Sequence, residues 1–162
     1  IGAAFVAFSP LARGFLTRTP PDVATLDTKD IRRSMPRFDP EPWAANLRLL
    51  PAFEAIAAEV GCTPAQLALA WLLARGEHVI PIPGTSSLTR LEENVAAVGV
   101  ELTAEDLDRV EQAAPRGAAA GERLQAGGQL FEGRESQGGE KRDAAQEDYL
   151  ALGENDAVVD AS

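Results

Sequence analysis

The chain has 162 residues, 45% of them hydrophobic and 25% charged, and a formal net charge of −10. That length suits one domain with a sizeable core, and the acidity excludes nucleic acid as a partner, because a phosphate backbone calls for a basic face. No run of about 18 apolar residues is present to cross a membrane, no charged-then-apolar leader opens the chain, and the lone Cys62 has no internal disulfide partner, which together fit a reducing cytoplasm.

The first element is the apolar run Ala3-Ala4-Phe5-Val6-Ala7-Phe8, with the composition of a parallel strand covered on both faces. The chain begins at Ile1, inside that element and without a polar lead-in, so the expectation is a truncated product or an incomplete record. Directly behind the strand stand Ser9-Pro10-Leu11-Ala12-Arg13-Gly14. A strand ending in such a turn exposes backbone N–H groups and a hydroxyl, and can hold a phosphate.

Residues 17–42 read as a long loop, with Pro20, Pro21, Pro36, Pro40 and Pro42 in it and Pro51 just beyond. Arg32, Arg33 and Arg37 lie in the same stretch, which makes it either a binding lid that clamps an anion or a solvated excursion. Between residues 43 and 60, Leu47, Leu50, Phe53, Ile56 and Val60 recur at helical spacing, and Gly61 ends the run. Thr63-Pro64-Ala65-Gln66 then has the form of a capping box with proline at the first helical position. The helix it opens, reaching Arg75-Gly76, is apolar almost all round and should be buried against a sheet.

A second strand is expected over residues 79–82, followed by another turn of the same kind, Pro83-Gly84-Thr85-Ser86-Ser87. Pro81 and Pro83 suit a short barrel strand better than a central sheet strand. Helices follow from about residue 88 to 97 and from 104 to 113, the latter capped by Thr103 with Asp106 at the third position. Strand, helices, strand, helices is an α/β order with a parallel crossover. Two phosphate-friendly turns at the carboxyl ends of two parallel strands suggest one nucleotide held between them. Beyond about residue 125 the chain turns Gly-rich and acidic: residues 126–162 carry nine acidic and three basic residues, and read as a disordered tail or an acidic interaction arm.

Little else in the chain carries chemistry. His78, the sole histidine, precedes a strand and reads as a surface residue; Cys62 has no basic neighbour in sequence to activate it; Trp71 reads as core and Trp43 as an anchor for the long loop. No Cys/His spacing suggests a metal.

Several of these segments resemble the aldo-keto reductases. Phe5-Val6-Ala7-Phe8-Ser9-Pro10-Leu11-Ala12-Arg13-Gly14-Phe15-Leu16-Thr17 is similar to the seventh strand and following loop of that family. Thr63-Pro64-Ala65-Gln66-Leu67-Ala68-Leu69-Ala70-Trp71-Leu72-Leu73 resembles its seventh barrel helix. Ile80-Pro81-Ile82-Pro83-Gly84-Thr85 with Leu91-Glu92-Glu93-Asn94 resembles its eighth strand and helix, and residues 115–123 its exit from the barrel.

The resemblance covers residues 1–125 and implies the C-terminal portion of an eight-stranded (β/α) barrel that binds NADPH and reduces aldehydes or ketones to alcohols. By the same resemblance Ser9, Leu11 and Gly14 lie along the pyrophosphate, and Gly84 and Thr85 under the adenosine phosphate. Arg90 meets the 2′-phosphate or stacks on the adenine, while Glu93 and Asn94 bond the adenine edge. Many members carry a lysine where this chain has Gly84 or Ser86; its absence weakens the electrostatic case for NADP over NAD and leaves Arg90 as the main 2′-phosphate candidate. By the resemblance NADP is expected and NAD stays open.

The family's catalytic Asp, Tyr, Lys and His come from the first half of the barrel, which this chain would lack, and Tyr149 lies in the divergent tail. The chain alone is therefore expected to be inactive and marginally stable. A nucleotide-binding regulatory subunit and an inactive remnant are the alternatives. The partners implied are a nicotinamide dinucleotide and a small carbonyl compound, with the carbonyl and the oligomeric state left open.

Overall fold

In the computed structural model, which describes residues 2–122, strand β1 (Phe5–Phe8) pairs in parallel with β2 (Val79–Ile82). Phe5 stands opposite Val79, Ala7 opposite Pro81 and Phe8 opposite Ile82. Among the described residues each strand has a single partner, the setting in which a strand proline such as Pro81 is tolerated. Parallel pairing demands a long crossover, and three helices supply it: α1 (Pro40–Leu47), α2 (Leu50–Val60) and α3 (Pro64–Leu73). After β2 come α4 (Leu88–Ala96), a 3₁₀ turn at Ala97–Gly99 and α5 (Ala104–Ala113). The expected acidic tail, residues 126–162, and the boundary before it lie outside the described residues.

The core forms on one side of the strands. Trp71, Phe53, Leu67 and Val110, from α3, α2 and α5, are its largest fully buried side chains, joined by Phe5, Ala7 and Val79 from the sheet. Helix α3 is buried over eight of its ten residues, as its all-round apolar sequence requires, and lies against β2, α2 and α4. Its start is a complete capping box. The Thr63 hydroxyl accepts from the Gln66 amide at 3.2 Å, and the Gln66 side chain accepts from the Thr63 amide at 3.0 Å. Thr103 and Asp106 make the same reciprocal pair at the start of α5.

Three expectations change. Among the described residues the strands are covered on one face only: Val6, Phe8, Ile80 and Ile82 are 43–48% exposed, because the described helices pack on the side of Phe5 and Ala7. The expected loop over 17–42 contains 3₁₀ turns at Val23–Thr25, Ile31–Ser34 and Pro36–Phe38, and α1 opens within it at Pro40. Asp22 and Asp30 cap the first two by accepting the amides of Ala24 and Arg32, and Pro36 presets the backbone of the third.

The expected continuous helix from 43 to 60 is two helices. Pro51 has no amide to give the Leu47 carbonyl, so α1 closes with tighter bonds from Arg48 to Ala45 and from Leu49 to Asn46, and α2 restarts at Leu50.

Candidate functional site

The turn behind β1 is tightly wound. Ser9, Ala12 and Arg13 all have positive φ (56°, 48° and 55°), and Gly14 follows at 91°. A side-chain-bearing residue held there stores roughly 1–3 kcal/mol, and such strain concentrates where a ligand is gripped. The turn consumes part of its own backbone: Ala12 donates to the Ser9 carbonyl, and both Gly14 and Leu16 donate to that of Leu11. The Thr17 hydroxyl closes it onto the Gly14 carbonyl at 2.7 Å. Fewer amides are therefore open to an anion here than the sequence suggested, and side chains carry more of the polarity.

The second turn, behind β2, is organised by two hydroxyls. Thr85 Oγ1 accepts from the Ser87 amide at 3.1 Å, and Ser87 Oγ caps α4 by accepting from the Arg90 amide at 3.4 Å. The cap sets the first turn of α4 facing the β1 turn, with Arg90 exposed, Glu93 half-buried and Asn94 buried.

Between the two turns lies an open groove of about 650 Å³. Ser9, Leu11 and Gly14 line it from the first turn, Gly84 and Thr85 from the second, and Arg90, Glu93 and Asn94 from α4. All eight residues singled out from the sequence thus meet in one place. The groove also takes in Thr17, Arg18, Thr19 and Ser86, to which the sequence assigned no individual role. Their only signal was position, directly behind a strand-end turn or inside one.

Of Arg32, Arg33 and Arg37, only Arg32 reaches the groove. Arg32 grips Asp30 with Nε at 2.9 Å and Nη2 at 2.7 Å, and donates from Nη1 to the Arg13 carbonyl at 3.1 Å. Hydrogen bonds from the Arg32 side chain and amide hold the Asp30 carboxyl down at about 2. Arg33 bonds the Leu26 carbonyl instead, and Arg37 that of Gly121, and neither lines the groove.

Arg13, Arg18, Arg32 and Arg90 line the groove beside one lining carboxylate, Glu93, with Arg32 also paired to Asp30, so basic groups outnumber acidic ones here in a chain of net charge −10. That local reversal of sign favours an anion in the groove. Asn94 adds a directional element. It is 8% exposed, and its side-chain amide brings both a donor and an acceptor to the groove lining. Its neighbour Glu93 is fixed from behind, where its carbonyl accepts Gln66 Nε2 at 3.1 Å.

The remaining candidates stay apart. His78 leads into β2, where its carbonyl accepts the Phe5 amide at 2.7 Å, and it does not line the groove. Cys62 is half-buried, and burial pushes its thiol pKa up, away from the nucleophilic thiolate form. Trp71 is core, and Trp43 stacks on Phe38 and meets Phe15 edge-on, anchoring the loop as expected. No cluster of metal-ligating side chains occurs among the described residues.

The aldo/keto reductase family model matches residues 2–115, both strand-end turns included. The chain belongs to the aldo/keto reductase family. It is similar to the probable aldo-keto reductase 1 of Glycine max, with 39% identity over 123 residues, which is 76% of this chain and 35% of that relative. The chain thus spans about a third of that relative's length. The family is one of oxidoreductases built on a (β/α) barrel, with a nicotinamide cofactor and carbonyl substrates in general. Two parallel strands with helices on one side are a part of such an α/β architecture.

Proposed function

We propose that the groove is the phosphate and adenine half of an NAD(P)H site, and that the chain is the C-terminal portion of an aldo-keto reductase barrel, its strands the seventh and eighth. The observation that carries this reading is the convergence of Ser9, Leu11, Gly14, Gly84, Thr85, Arg90, Glu93 and Asn94 on one groove with four arginines. In the whole protein the activity is reduction of an aldehyde or ketone to an alcohol, the bound nicotinamide supplying hydride.

Each residue has a physical role in that reading. Arg32 and the Ser9 hydroxyl serve the pyrophosphate, where charge-assisted bonds are strongest. Arg90, on the first turn of α4, serves a 2′-phosphate, and the α4 dipole adds to its effect. The Asn94 amide, both donor and acceptor, suits the adenine edge. Neither Gly84 nor Ser86 is basic, so Arg90 carries the preference for NADP over NAD.

The proton for the alcohol oxygen comes from outside the groove. The chain's only tyrosine, Tyr149, lies outside the described residues, and in this reading the family's Asp, Tyr, Lys and His come from the rest of the whole protein. The chain by itself therefore binds dinucleotide without turning over a carbonyl compound.

Titrating the full chain into NADPH and NADH tests this directly through nicotinamide fluorescence. Saturable binding with NADPH preferred is expected, and Arg90→Ala should remove that preference. No saturable binding of either dinucleotide at millimolar concentration would overturn the reading.

A further inference from the structure

We propose that residues 115–122 form a clasp that holds Arg32 over the groove, so that a segment outside the groove sets the affinity inside it. This rests on the groove being the dinucleotide site. The clasp itself is built from contacts independent of that reading.

Asn46 of α1 is buried and pairs with the main chain of Ala120 in both directions. Its Nδ2 donates to the Ala120 carbonyl at 3.1 Å, and its Oδ1 accepts the Ala120 amide at 2.7 Å. One residue on, the Gly121 carbonyl accepts Arg37 Nε at 3.2 Å. Gly121 has φ +83°, and a Cβ built there would lie 2.9 Å from both Arg37 Cα and the Pro36 carbonyl oxygen. Backbone rests on backbone, so neither strand of the clasp can yield by a side-chain rotation.

The clasped residues lead directly to Arg32. Phe38 donates to the Met35 carbonyl at 2.9 Å and Met35 to that of Arg32 at 3.2 Å, so two consecutive 3₁₀ turns, joined at the extended Met35, make a short arm from the clasp to Arg32. At its far end Asp30 and the Arg13 carbonyl fix the guanidinium over the strained turn. Neither Asn46, Arg37, Ala120 nor Gly121 lines the groove. Whatever they do to a ligand, they do through the placement of this arm, which makes Asn46 and Gly121 positioning residues.

The test is a double-mutant cycle on NADPH affinity, read with backbone amide exchange on the full chain. Gly121→Ala should weaken NADPH binding about tenfold. In an Arg32→Ala background it should weaken it no further. The amides of Met35 and Phe38 should exchange faster in Gly121→Ala while those of α3 keep their protection. Where Gly121→Ala fails to fold, Asn46→Ala opens the same clasp without adding bulk and should give the same pattern. An equal loss in both backgrounds would overturn the proposal, as would unchanged exchange at Met35 and Phe38. If the chain binds no NADPH at all, the dinucleotide reading fails and exchange alone decides the clasp: faster exchange at those two amides sustains it, and unchanged exchange removes it.

Discussion

Arg32 Nη1 donates to the main-chain carbonyl of Arg13 at 3.1 Å, across 19 residues of sequence, and so joins the long loop to the strained turn behind β1. The other edge of the same guanidinium is held in a fork by Asp30. A planar fork can satisfy both partners at once, whereas an ammonium cannot. Arg32→Lys should therefore cost nearly as much as Arg32→Ala in NADPH affinity. About tenfold to a hundredfold is expected for each, from the ~1.5–3 kcal/mol of a charged hydrogen bond. Full retention of affinity in Arg32→Lys, measured by fluorescence titration, would show that only the charge matters.

The same pair sets an acid limit on the loop. The Asp30 carboxyl is lowered from 3.8 to about 2, chiefly by the Arg32 hydrogen bonds. A carboxyl with a folded pKa below its unfolded one binds fewer protons when folded, so its contribution is complete above 3.8 and lost as pH falls to about 2. Asp106 is shifted in the same direction by the Thr103 cap. Thermal midpoints of the wild type should fall steeply across that window, and those of Asp30→Asn should fall less steeply while starting lower at neutral pH. Parallel curves for the two proteins would rule out the linkage.

What could be read from the sequence was whatever repeats locally. The two strand-end turns stand out because apolar runs stop abruptly at Ser9 and at Gly84, and the caps at Thr63 and Thr103 stand out because three-residue spacing is itself their geometry. The 3₁₀ turns at 23–25, 31–34 and 36–38 were missed because so few residues give no apolar period. The split at Arg48 and Leu49 was masked by a helical spacing that runs through it, although Pro51 was the signal. Which of Arg32, Arg33 and Arg37 enters the groove depends on tertiary reach and has no local mark. Composition likewise made the strands apolar on both faces without telling which face the chain covers.

Trp71 offers a test of the core. It is fully buried, its indole Nε1 has no hydrogen-bond partner among the described residues, and the Arg75 guanidinium lies 4.3 Å from the ring centroid. Trp71→Ala opens a cavity beside Phe53 and Leu67 and should cost about 3–5 kcal/mol, enough to leave the chain largely unfolded. Trp71→Phe removes the unpaired donor along with part of the volume, so the two effects offset and the cost should stay below about 2 kcal/mol. Urea midpoints of the two variants measure the difference. Similar losses in both would mean that the indole N–H is satisfied in solution.

The start of α3 separates stability from binding. Thr63 contributes only its cap, so Thr63→Ala should lower stability by about 1 kcal/mol and leave the groove as it is. Gln66 serves two partners: its Oε1 accepts the Thr63 amide, and its Nε2 reaches the Glu93 carbonyl at 3.1 Å, behind the groove residues Glu93 and Asn94. Gln66→Ala should therefore match Thr63→Ala in its melting shift, roughly 2–6 °C, and in addition weaken NADPH binding several-fold. Gln66→Glu discriminates further, because it keeps an acceptor for the Thr63 amide but loses the donor to Glu93. Its midpoint should stay near that of the wild type while its affinity falls with that of Gln66→Ala. Equal affinity across all three variants would mean that α4 is held in place without the Gln66 bond.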